Sequence, residues 1–216
     1  MRNDFIITLA WPEGMVAGAG AWYDKIFAKN GQYRVGHSAL VLINSETKKS
    51  LYFDFGRYHA PNGYGRVRDV ETDPEVELIN SKILNGKIIN IESILLELSE
   101  MKSTHGEGKM YASLISGINF NDAFYAAKTI QEKGIIPYGP FTLLGTNCSR
   151  FVADIIKASD PSFIKKLRLK FQFCISPSPK RNVSITNNNY FIVDNNYCIE
   201  VKKSKLKSYF TSIEKK

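Results

Sequence analysis

A chain of 216 residues and 24.4 kDa, 44% hydrophobic and carrying 13 Phe, 11 Tyr and 2 Trp, can bury a full core without staples, which excludes a disordered chain. The net charge of +8 is uneven: residues 1–156 hold 16 Lys/Arg against 17 Asp/Glu, whereas residues 157–216 hold 13 against 4, so the basic character lies in the C-terminal part and no specific nucleic-acid partner is expected. Three cysteines, Cys148, Cys174 and Cys198, make neither a close metal-ligand pair nor an even disulfide set, so a reducing compartment is expected and no metal or cofactor is called for.

Residues 5–10 read as an opening strand ended by Trp11-Pro12-Glu13-Gly14. This apolar run is too short for a secretory leader or a membrane span, which predicts a cytoplasmic location. Residues 22–29 suit a short helix. Residues 36–43, Gly-His-Ser-Ala-Leu-Val-Leu-Ile, predict a strand with His37, Ala39, Val41 and Ile43 on one face and Ser38, Leu40 and Leu42 on the other. A polar turn at 44–49 leads to a second strand at 50–55, giving a hairpin in which Tyr52 and Asp54 share a side. An aspartate between Phe53 and Phe55 needs a partner, and an imidazole or an arginine supplies one.

Residues 56–69 read as a glycine-punctuated loop with Arg57, Arg66, Arg68, Tyr58 and Tyr64. It lacks the context of a phosphate-binding loop, and its arginines suit a carboxylate or phosphate group. Arg57 and His59, with Tyr52 from the strand before, are assigned to substrate binding. The acidic stretch 70–78 reads as structural. A helix over 90–101, capped by Asn90, presents Ile91, Ile94, Leu95, Leu98 and Met101 as one stripe. His105 follows in a glycine-bounded turn and is read as a surface or supporting residue. A strand at 109–116 precedes a helix capped by Asn121 and ended by Gly134. Pro137, Gly139 and Pro140 then fix the backbone as a cleft wall, with Tyr138 placed over the cleft as a substrate contact.

Gly145-Thr146-Asn147-Cys148-Ser149-Arg150-Phe151-Val152 carries the chemistry. Two capping residues precede Cys148 and apolar residues follow at offsets of three, four and seven, so the cysteine opens a helix with its sulfur toward the body of the domain. A helix N-terminus favours the thiolate, which is the nucleophilic form. If this helix packs on the His37 face, thiol and imidazole meet, the minimum set for nucleophilic acyl transfer. Asp54 is assigned to hold the imidazole tautomer, with His59 as its rival. Beyond the cysteine helix come a short basic amphipathic segment at 163–169, a strand at 171–175, a linker at 176–180, strands near 190–193 and 197–201, and a small helix within 203–210. Two units are expected: a catalytic domain at 1–179 and a basic Asn/Lys-rich appendage at 180–216, whose charge can contact an anionic surface.

The order of histidine on an early strand, polar residue on the next and cysteine at the head of a late helix resembles the circularly permuted papain-like cysteine hydrolases. These include permuted NlpC-like peptidases, lecithin:retinol acyltransferase-like proteins and permuted papain-fold deubiquitinase-like proteins. Gly36-His37-Ser38-Ala39, Tyr52-Phe53-Asp54-Phe55-Gly56-Arg57 and Thr146-Asn147-Cys148 carry the resemblance, which spans residues 35–158 and looks like a further bacterial branch. It implies an α+β, papain-like fold of the circularly permuted NlpC type, with an antiparallel sheet packed against the nucleophile helix, Cys148 as nucleophile and His37 as base. The expected function is a peptidase or amidase working through a thioacyl intermediate on a peptide, amide or acyl-ester substrate. An acyltransferase or lipid hydrolase using the same residues, or an inactive binding module, is the alternative.

Overall fold

The computed structural model describes residues 3–17, 30–34, 36–171 and 176–211. The helix expected at 22–29, and the expected strand from residue 172 onward together with Cys174, lie outside them. An eight-stranded sheet organises the rest. Its strands are β1 (Asp4–Trp11), β4 (His37–Ile43), β5 (Ser50–Gly56), β6 (Tyr64–Arg68), β9 (Met110–Ile118), β10 (Ile136–Pro137), β11 (Asn189–Asp194) and β12 (Tyr197–Lys202). They run in the order β10-β6-β5-β4-β1-β9-β11-β12, each neighbouring pair antiparallel. Two small hairpins, β2 (Met15–Ala17) with β3 (Gln32–Arg34) and β7 (Ile83–Leu84) with β8 (Lys87–Ile88), stand apart from it.

Both faces of the sheet are covered, which explains why its central strands are almost continuously apolar. On one face Phe5, Ile7, Leu9, Ala39, Val41 and Ile43 pack against Ile94, Leu95 and Leu98 of α1 (Ile91–Glu100). On the other, Ile6, Leu40, Leu42, Phe53 and Phe55 pack against α2 (Phe120–Gln131) and α3 (Cys148–Ala158). Each such fully buried side chain contributes roughly 1.5–3 kcal/mol. The cysteine helix therefore sits on the Leu40/Leu42 face and not, as expected, on the face shared by His37, Ala39, Val41 and Ile43. Period two fixes which residues share a face. It does not say which helix covers that face when both faces are apolar.

The antiparallel sheet packed against helices agrees with the expected mixed architecture, and three local readings change. Residues 64–68, expected within a loop, form β6, where Arg68 pairs in register with Asp54 and Arg66 with Gly56. The cap of α2 is Asn119, whose side chain accepts from Asp122 N–H, and not Asn121. The linker at 176–180 instead starts a helix, α5 (Pro179–Thr186), with Ser178 as its cap and Pro179 at the first position. After α4 (Phe163–Lys170), α5 packs on β1 and β9, β11 pairs with β9, and α6 (Lys205–Phe210) closes the described chain. Among the described residues no helix is long and apolar enough to cross a membrane.

Candidate active site

The start of α3 follows from its local sequence. Asn147 is extended (φ −135°, ψ 173°), and its side-chain oxygen accepts from the Arg150 N–H at 2.9 Å, leaving Cys148 as the first helical residue. Its amide nitrogen donates to Ser176 Oγ at 2.9 Å. Cys148 is 6% exposed and borders a cleft of about 330 Å³ lined by Tyr138, Pro140, Asn147, Ser149 and residues 176–179. Gly145 brings the preceding chain close to residue 137, since a Cβ there would overlap the Pro137 carbonyl. The segment between them closes on itself through Thr146 N–H to Pro137 O (3.1 Å) and Gly139 N–H to Thr146 O (3.0 Å). Arg150 spans it by donating to Thr142 O at 3.0 Å and Gly139 O at 3.4 Å.

Tyr138 is held over the sulfur by this loop. Its ring stacks on Phe55 (centroids 5.6 Å apart, 7° between planes), with the Arg57 guanidinium 5.0 Å from the ring on top. The Tyr138 hydroxyl donates to Cys148 Sγ at 3.6 Å.

His37 is the first residue of β4, and Gly36 before it has φ of +64° and lies where a Cβ would overlap the Trp11 carbonyl. The imidazole stacks on Trp11 at 5.9 Å, and its Nε2 faces Asp54 Oδ2 at 3.0 Å and the Tyr58 hydroxyl at 3.3 Å. The ring is also close enough to the Cys148 thiol for each group to shift the pKa of the other. With Nε2 engaged by Asp54, Nδ1 is the nitrogen left for sulfur. Imidazole and thiol approach although His37 belongs to the face of β4 opposite the one that α3 covers. Each residue begins its element, and the contact forms past the end of the sheet.

Asp54 is completely buried and serves as the hub. Besides His37 it accepts from the Tyr52 hydroxyl (2.9 Å), the Tyr58 hydroxyl (2.9 Å), Arg68 Nε (3.1 Å) and Arg68 Nη2 (2.8 Å). Arg68 also donates to Ser103 O at 2.9 Å and lies 3.4 Å from the Tyr58 ring centroid. Burial alone would push the Asp54 carboxyl up, but the bonds from His37 and Arg68 outweigh it and hold the group well below the usual carboxylate range. For His37, burial lowers the pKa while Asp54 and then Cys148 raise it, and the result is about 9. Burial raises the Cys148 thiol, yet the His37 contact, helped by Tyr138 and Ser149, brings it below its ordinary value. Both shifts run in the direction that favours a thiolate beside an imidazolium.

Of the residues expected at the substrate, Tyr138 borders the cleft and Arg57 covers Tyr138. Tyr52 is 1% exposed and bonds Asp54, so it supports the carboxylate and does not reach the cleft. His59 is exposed, with φ of +49°, and its neighbour Tyr58 takes the inward position. His105 stacks on Tyr58 at 5.1 Å, and burial together with nearby Arg68 lowers its pKa. Sequence reasoning missed Tyr58 and Arg150, whereas Arg68 is one of the three arginines, with Arg57 and Arg66, that it offered as ion-pair partners of Asp54. The alternation of Arg68 with Arg66 about Val67, as strand residues alternate, is the signal that separates it from Arg57.

A family model described as type VI secretion system effector TseH-like matches residues 6–163. A crystal structure of the type VI secretion system effector TseH is similar in fold, with a TM-score of 0.61 over 92% of this chain and 98% of that one at 22% identity. No curated protein matches.

Proposed function

We propose, from the premise that this chain belongs to the type VI secretion system effector TseH-like family, that it is a secreted effector with thiol peptidase or amidase activity, using Cys148 as nucleophile, His37 as proton carrier and Asp54 to orient the imidazole. The observation that carries this reading is a thiol at a helix N-terminus whose pKa is lowered by His37, an imidazole bonded in turn to a buried carboxylate at 3.0 Å. The thiolate adds to an amide carbonyl carbon. As the C–N bond breaks, the imidazolium proton goes to the leaving amine, giving a thioacyl enzyme. Water then attacks that carbonyl, its proton passes to His37, and the C–S bond breaks to return the thiolate. The Cys148 N–H at the helix terminus and the Tyr138 hydroxyl beside the sulfur are the donors assigned to the developing oxyanion. The papain-like architecture of the permuted NlpC type is part of the same proposal.

A second reading, lipid hydrolysis or acyl transfer by the same groups, is favoured by the proline and tyrosine walls of the cleft. The deciding experiment has two arms. Iodoacetamide labelling across pH should modify Cys148 below pH 7 in the wild type and lose that reactivity in His37→Ala. Incubation with peptide amides and with acyl esters should then release amine from the former. Labelling of Cys148 only after unfolding would end both readings, and turnover of acyl esters alone would select the second.

A further inference from the structure

Helix α4 buries little of its apolar surface. Leu169 is inside, whereas Phe163, Ile164 and Leu167 are 77%, 68% and 46% exposed, and Phe171 just past its end is 47% exposed. Residues 163, 167 and 171 recur every four, so they form one stripe toward water. In α6, Leu206 and Phe210, also four apart, are 73% and 66% exposed. The two helices abut: Arg168 Nη2 donates to Lys205 O at 3.0 Å, its guanidinium lies 5.5 Å from the Tyr209 ring, and the Tyr209 hydroxyl donates to Phe171 O at 3.0 Å. Exposed Lys170, Lys205 and Lys207 flank the apolar side chains, and Lys166 beside them pairs with Asp160. A helix of a water-soluble domain normally turns its apolar stripe inward, and a contiguous exposed patch marks a surface that something else covers.

We propose that α4 and α6 together form a docking face for the surface of an anionic phospholipid bilayer. Charge supplies the first argument, because residues 157–216 hold the entire net excess of positive charge and the exposed lysines of this face belong to it. An anionic leaflet attracts such residues through a diffuse field. The second argument is the kind of cation. Recognition of carboxylates on an acidic protein favours the paired donors of arginine, yet Arg168 is engaged by Lys205 O and Tyr209, which leaves lysines, suited to a spread-out charge and able to extend along apolar surface. The third is shape. Phenylalanine, leucine and isoleucine project outward from short helices, as side chains do that enter the headgroup and acyl boundary. The face does not depend on the thiol chemistry.

The test is co-sedimentation of the full chain at about 0.15 M salt with vesicles of phosphatidylcholine containing roughly 30% phosphatidylglycerol, against phosphatidylcholine alone. Binding to the anionic vesicles should be at least about tenfold tighter. Phe163→Ser/Leu206→Ser/Phe210→Ser should lose most of it, and so should Lys170→Glu/Lys205→Glu/Lys207→Glu, with the pH profile of Cys148 labelling unchanged in both as the check on folding. Should the serine variant misfold, the charge-reversal variant decides. Failure of the wild type to sediment with anionic vesicles would overturn the proposal. Undiminished binding by the folded serine variant would do so too, since that describes charge attraction of the kind an acidic protein also offers. Slow labelling of wild-type Cys148 would instead count against the hydrolase and leave the vesicle result standing.

Discussion

Replacing Asp54 by Asn separates the two jobs of the carboxylate, orienting His37 and neutralising Arg68. The amide keeps an acceptor oxygen and the size of the side chain but loses the charge. The rise of His37 from 6.5 to about 9 corresponds to on the order of 3 kcal/mol in favour of the protonated ring. Asp54 is the largest contributor in that direction, and burial works the other way. In Asp54→Asn the imidazole pKa should therefore fall by at least about one unit, and the Cys148 thiol, which depends on the imidazolium, should rise. Activity needs thiolate and imidazolium together. The wild type should gain kcat/KM as pH rises through the lowered Cys148 value and lose it as pH passes about 9. The variant should show a narrower bell displaced inward on both sides.

The same substitution leaves the Arg68 guanidinium buried opposite a neutral group. Breaking such a pair costs about 3–5 kcal/mol, whereas removing both charges costs less than the sum of the single changes. Urea denaturation of Asp54→Asn, Arg68→Met and the double variant should accordingly show a coupling of about 1–3 kcal/mol. The sign of the linkage with pH follows from the direction of each change. His37, raised on folding, contributes stability that is complete below about 6.5 and lost as pH rises through about 9. Asp54, lowered on folding, contributes stability present above its ordinary 3.8 and lost as pH falls toward its folded value. In Asp54→Asn the decline between pH 6.5 and 9 should flatten. An alkaline limb that stays near 9 in this variant, or strictly additive stabilities in the cycle, would refute the assignment of Asp54 as the shared partner.

Three further outcomes follow from the same geometry. Iodoacetamide at pH 7 should label Cys148 before Cys198 although Cys198 is the more exposed, because burial and the charges of Glu92 and Glu200 raise the Cys198 thiol; mass spectrometry of the labelled peptides reads the order, and the reverse would mean that access dominates. Tyr138→Phe removes one donor from the sulfur, so the midpoint of Cys148 labelling should move to higher pH, and kcat should fall about 10²-fold with KM little changed if the hydroxyl also meets the oxyanion. Gly36→Ala forces a Cβ against the Trp11 carbonyl at positive φ, and should cost at least about 1 kcal/mol in urea denaturation while slowing Cys148 labelling through displacement of His37.

Much of the site is legible in the chain because short-range rules set it. The asparagine cap starts a helix at Cys148, and alternation puts Tyr52 and Asp54 on one side of β5, whatever the rest of the molecule does. What depends on long-range choice is not legible. Ala39, Val41 and Ile43 are as apolar as Leu40 and Leu42, so nothing local says that α3 takes the second set. That misplacement leaves the His37–Cys148 contact intact because both residues open their elements, and an end contact does not depend on strand parity. An arginine partner for Asp54 is foreseeable, but the choice of Arg68 over Arg57 and Arg66 is not, because it is fixed only by the register of β5 with β6, 14 residues away in the chain. The hardest part to read is α5, where Asn182, Ser184 and Thr186 are buried and erase the amphipathic pattern that announces a helix. Their donors are occupied inside the protein, while Asn182 Oδ1 is left without a partner. Ser184 Oγ donates to Ser208 O at 2.7 Å, Thr186 Oγ1 to Asn182 O at 2.8 Å, and Asn182 Nδ2 to Ser149 O at 2.7 Å. The last of these ends on the residue after Cys148, so a segment with no catalytic character in its sequence braces the first turn of the nucleophile helix. Asn182→Leu should therefore disturb Cys148 labelling as well as stability, because it leaves the Ser149 carbonyl without this donor.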